Sequence, residues 1–173
     1  MKKDLWPEIN LDSSGDTPLS ILMEQANILS EKTRGLILGD VLTNSKDKYI
    51  FHTFYLVAPK LNNYRYSLID VIHSVMPYPT FIYDNNAKSD DTVKVKKISN
   101  NPTINNFNKI MASLNESYNL APGSVEEPDI IVNSSNEFIL AIESIFKSNS
   151  TVGVLNSLIS QSIQNEQANK LRK

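Results

Sequence analysis

Cysteine is absent from this sequence, so disulfides, thiolate nucleophiles and cysteine-ligated metals are excluded together. The same absence suits a reducing cytoplasm, which is the expected location. Histidine is scarce, with 2 in 173 residues, and no His-Glu cluster accompanies them, so neither a metal site nor a cofactor is expected. Neither sign of charge dominates. A formal charge of −2 and a pI near 5.7 give no field that would favour a phosphate backbone or an anionic membrane, so neither is an expected partner. No run approaches the roughly 20 apolar residues of a membrane span, and the basic start MKKDLWPEIN lacks the apolar stretch of a signal peptide. GxGxxG, Walker, GxSxG and HExxH motifs are missing too, which lowers several enzyme classes without excluding an unfamiliar one.

What is present describes an ordinary globular chain. Hydrophobic residues at 40% and charged residues at 21% argue against disorder and fibrous repeats, and 173 residues fit one domain with a real core. Residues 17–165 are read as that domain, flanked by a polar arm at 1–16 and a polar tail at 166–173. Lysine outnumbers arginine and Asn-Asn pairs recur, the composition of an AT-rich bacterial genome.

The first helix is predicted from about Pro18 to Arg34. Asp16-Thr17-Pro18 supplies the N-cap and the proline, Gly35 the stop, and Leu19, Leu22, Met23, Ala26 and Leu29 a core-facing stripe. Beyond Gly35 the period becomes strand-like. Leu36–Thr43, Tyr49–Ala58, Tyr64–Ser74 and Thr80–Tyr83 read as strands, with a turn at 44–48 and a half-exposed edge strand at Val93–Val95. Their short connections demand an antiparallel meander, since parallel pairing needs a crossover of a dozen residues or more. A helix at Asn105–Ser117 and a further short strand at Asp129–Val132 complete the middle. Ser134 and Glu137 form a capping box ahead of Phe138, Ala141, Ile142 and Ile145, and a second helix from Ser150 presents Val154, Leu155, Leu158, Ile159 and Ser162. Joined by about three residues, these helices are expected to turn back on each other. The class is α+β: an N-terminal helix, an antiparallel sheet of four or five strands, and a C-terminal helical pair.

The segments TPLSILMEQANILSEKTRGLILGDV, FYLVAP, NYRYSL and SSNEFILAIESIF resemble a group of small bacterial proteins of unknown function. That resemblance covers about half of the chain and implies a shared domain. It implies no activity.

Candidate chemistry concentrates in FHTFYLVAPKLNNYRYSLIDVIH, residues 51–73. On the second strand Ile50, His52, Phe54 and Leu56 share one face, and Phe51, Thr53, Tyr55 and Val57 the other. Both faces are apolar, so something besides the first helix is expected to cover this strand. Pairing Ala58 with Tyr64 sets His52 opposite Asp70, the arrangement of a general base, although a buried imidazole needs such a partner merely to be tolerated. By the same parity His73 lies on the opposite face. Arg65, between Tyr64 and Tyr66, offers a fork for a carboxylate or phosphate with Tyr55 and Tyr78 as walls, or else an ordinary salt bridge. Lys94, Lys96 and Lys97 fit an edge strand defended by charge.

The leading functional expectation is a non-catalytic interaction or accessory subunit, self-associating as a homodimer through its surplus apolar surface. A small-ligand or peptide module at the Tyr-Arg end of the hairpin is the alternative. A hydrolase-type enzyme using His52 and Asp70 is a second alternative.

Overall fold

The structure, a computed structural model, describes residues 5–8, 15–46, 48–86 and 128–171. Helix α1 spans Pro18–Lys32. Thr17 caps it, its side chain accepting from the Ser20 amide while Ser20 reaches back to the Thr17 amide, so two orphan donors are satisfied reciprocally. The end is built by Thr33, whose hydroxyl donates to the Ile37 carbonyl at 2.6 Å, and by left-handed Arg34 and Gly35 (φ 52° and 75°). The buried arc is centred on Leu22, with Ile21 and Ala26, which leaves Met23 on the outer flank at 53% exposed rather than in the predicted stripe.

Five strands follow as an antiparallel meander in the order β1-β2-β3-β4-β5. They are β1 Leu38–Lys46, β2 Tyr49–Ala58, β3 Tyr64–Ser74, β4 Thr80–Asp84 and β5 Ile130–Val132. Residues 44–46, expected in a turn, stay in the ladder because Lys46 pairs directly with Tyr49 across a tight hairpin. The predicted edge strand at Val93–Val95, the three lysines beside it and the helix at Asn105–Ser117 lie outside the described residues. Two helices close the chain, α2 Ser135–Phe146 and α3 Asn149–Leu171. Ser134 caps α2 as expected, but Glu137 accepts from the Asn133 amide at 2.8 Å, one residue earlier than the predicted box.

The predicted return of α3 along α2 does not occur. Their axes bend by only 57°, because Lys147 keeps a right-handed backbone and Ser148 at once caps the next helix through the Thr151 amide. The polar C-terminal stretch continues as helix to Leu171. No single helix among the described residues is long and apolar enough to cross a membrane.

The main core lies between the sheet and the helices. It joins Leu22 and Ala26 of α1, Phe54 and Leu56 of β2, Ile69 and Val71 of β3, Ile82, Val132, and Phe138 and Ile142 of α2. A second cluster, Tyr49, Ile72, Phe81 and Tyr83, occupies the other face, so the sheet is apolar on both sides as the sequence implied. Gly39 of β1 lies close against α1: its amide donates to the Ser30 hydroxyl at 3.3 Å, and an added Cβ would sit 2.7 Å from the Ala26 Cβ. Both partners are backbone-bound, so neither swings aside. Gly39→Ala is therefore expected to lower stability in urea denaturation by about 1–3 kcal/mol. An unchanged unfolding midpoint would show that α1 rides further from the strand.

Candidate functional site

The register of the central hairpin decides the fate of the predicted catalytic pair. Ala58 pairs with Tyr64 as expected, and the same register holds to Tyr55 opposite Ser67. Leu68 is then an extra residue, a β-bulge, and Phe54 pairs with Ile69. His52 consequently faces Val71, while Asp70 faces Thr53 on the opposite side of the sheet. The His52–Asp70 pair does not form. The Asp70 carboxylate instead accepts from the Thr53 hydroxyl at 2.6 Å and from the Asn85 side chain at 3.0 Å.

The bulge also reverses the expectation for His73, bringing it to the same face as His52. Their Nε2 atoms lie 2.9 Å apart, both rings are buried, and the ring centroids are 5.1 Å apart. The surrounding bonds assign the protons. His73 Nδ1 lies 2.6 Å from the Ser74 carbonyl, which only accepts, so this nitrogen carries hydrogen. Its Nε2 is then a lone pair receiving N–H from His52, whose own Nδ1 accepts from the Thr43 hydroxyl at 2.9 Å. Thr43, His52, His73 and the Ser74 carbonyl thus form one directed chain of neutral groups. Every ring nitrogen is engaged within the protein. Among the described residues, no group of three metal-ligating side chains occurs.

Burial, then the neighbouring imidazole, pulls His52 from 6.5 down to about 4; burial also lowers His73, against the opposing bond to Ser74.

The five residues of the predicted Tyr-Arg site are separated into three places. Arg65 donates to the Asp40 carboxylate at 2.6 Å and lies over the Tyr55 ring at 4.4 Å, on the face away from the helices. Tyr64 and Tyr66 turn to the helical side and line a cleft of about 700 Å³ with Val154, Ser157 and Leu158 of α3. The Tyr66 hydroxyl donates to the buried Asn86, whose amide donates to Thr151 at 2.9 Å. Burial first, then Tyr64 and Asp84, pushes the Tyr66 phenol up. Tyr78 lies at the far end of the sheet, its hydroxyl donating to the Asp16 carbonyl at 3.3 Å.

A groove that the sequence did not reveal runs between α1 and α2. It encloses about 670 Å³ and is floored by Phe54, Leu56 and Leu68. Ile28, Leu29, Ile139 and Phe146 form its walls, and Thr151 and Leu155 of α3 close one end. Phe146 packs on Phe54 with ring centroids 5.1 Å apart. The rim is charged: Asp16, Glu24 and Lys32 on one side, Glu143 and Lys147 on the other, the last two paired with each other. Its sequence signal is the double apolar width of α1, where Ile21 and Ile28 extend the stripe beyond what a single sheet contact needs.

Comparison with protein-family models, with curated proteins and with solved structures finds no significant match to this chain.

Two outcomes follow. Because the folded state resists protonating His52, the pair's contribution is complete above pH 6.5 and is lost as the pH falls toward about 4, a loss on the order of 3 kcal/mol. Urea denaturation across this window should show the loss in the native chain and not in His52→Leu, His73→Leu; equal slopes would refute the neutral chain. Arg65→Ala should change stability by less than about 1 kcal/mol, since the pair with Asp40 is nearly half exposed on both sides; a larger drop in the same measurement would assign Arg65 a deeper structural role.

Proposed function

We propose that this protein is a non-catalytic binding module that receives an apolar segment in the groove between α1 and α2. The observation that carries this reading is the groove's construction: α1 packs on β1 and α2 beside β5, and along the seam where they meet, aromatic and aliphatic side chains are bordered by a charged rim. A concavity of about 670 Å³ with apolar walls and a few polar groups at its margin is the form that ligand sites take. The histidines support no competing acid–base reading, since their nitrogens already serve one another and their neighbours. A partner protein or a second copy of the chain could supply the segment, in keeping with an accessory role. The cysteine-free composition and the excess of lysine over arginine favour a bacterial cytoplasmic setting.

The test uses 1-anilinonaphthalene-8-sulfonate, which fluoresces in apolar sites. The native protein should enhance its emission, and Ile139→Arg should remove most of that enhancement. Ile139 is 42% exposed, so this substitution should cost about 0.5 kcal/mol or less. Equal emission from the two proteins at equal thermal stability would refute the groove as a binding site.

A further inference from the structure

We infer that the occupant of the groove is an amphipathic α-helix from a partner protein. It lies antiparallel to α1 and α2, with acidic residues in its first turn and basic residues in its last. This rests on the groove being a binding site, and goes further in naming what binds.

The direction follows from topology. Asp16, just ahead of α1, meets Tyr78 beyond the end of β3. Val132, just ahead of α2, pairs with Thr80 at that same end of the sheet. Both helices therefore start together and run the same way. Their C-terminal carbonyl ends lie side by side, each with a partial negative charge of about half an electron, and their N-terminal ends lie together at the other end. A third helix laid along the two is favoured head to tail, its N-terminus against the two C-termini.

Charge on the rim repeats the same polarity. Along α1 the order is Asp16, Glu24, Lys32, and along α2 it is Glu143, Lys147. Glu143 and Lys147 neutralise each other, whereas Lys32 has no carboxylate within ion-pair distance among the described residues. An antiparallel helix with acids first and bases last meets Lys32 with its acids, and Glu24 and Asp16 with its bases. A simple apolar carboxylate would use Lys32 alone and leave the acidic end unmatched.

The depth of the groove points the same way. Phe54, Leu56 and Leu68 are each 1% exposed, so the floor is already covered, and the accessible surface belongs to walls such as Ile28, Leu29 and Ile139. A small molecule here would meet only part of these walls, whereas a rod lying along the groove touches both with one stripe of side chains. The 15 residues of α1 span about 22 Å, the length of four helical turns.

The experiment selects 16-residue peptides from a random display library on the full chain, then measures labelled winners by fluorescence anisotropy. Enriched peptides should carry apolar residues at i, i+3 or i+4, and i+7, with acids leading and bases trailing. Binding should weaken at least about tenfold in Ile139→Arg, since one apolar anchor is worth that much, and about threefold at low salt in Lys32→Glu. Replacing the leading acids by lysine should recover the second loss. The inference is overturned if no peptide is enriched, if winners lack helical spacing, or if Ile139→Arg binds them unchanged. Dodecanoate that displaces the fluorescent dye while no helical peptide emerges would overturn the helix and leave the binding site standing. Dye emission insensitive to Ile139→Arg would remove both.

Discussion

The approach of Ala26 to Gly39 is the contact on which the arrangement of this molecule depends. Only a residue without a side chain lets the helix backbone come this close to the strand, and the Ser30 hydroxyl uses that closeness to accept the Gly39 amide. It fixes α1 over β1, at one edge of the sheet. The chain then crosses all five strands before α2 begins, so α2 is delivered to the other edge, beside β5. The two helices touch each other over the sheet, and side chains of β2 and β3 lie beneath the groove along their contact.

The polar interior complements this frame. Asn86, buried at the end of β4, accepts from Tyr66 of β3 and donates to Thr151 of α3, so one side chain ties two strands to the last helix. The imidazole chain does the same inside the sheet, linking β1, β2 and β3 through Thr43, His52 and His73. An unpaired polar group at such sites costs about 1–3 kcal/mol, so each of these groups specifies its neighbours as much as it is tolerated by them.

Much of the architecture could be read from local signals. Thr17-Pro18 and Ser134 announced their helices because capping is written within four residues. Short connections dictated the meander, since only antiparallel neighbours are joined so briefly. Three features escaped, each for a physical reason. The bulge at Leu68 was hidden by strict alternation; its trace is the adjacent pair Leu68-Ile69, 1% and 0% exposed, where an alternating strand would turn one of them outward. The shallow bend between α2 and α3 depends on the backbone angles of Lys147, which its side chain does not advertise. The groove depends on how far apart two helices settle, a distance set by Gly39 and by the width of the sheet.

The bulge has one more consequence. Because a single additional residue decides which side chains meet indoors, β3 is unforgiving of insertion in a way that the flanking turns are not, while its spare residue absorbs a deletion. Losing Leu68 would merely close the bulge and keep His52 opposite Val71 and His73 opposite Ile50, whereas one residue added beyond Asp70 would slide Val71 and His73 to the other face. Added residues in descendants of this chain should therefore collect at hairpin tips, while the third strand can shed its spare residue but not gain another.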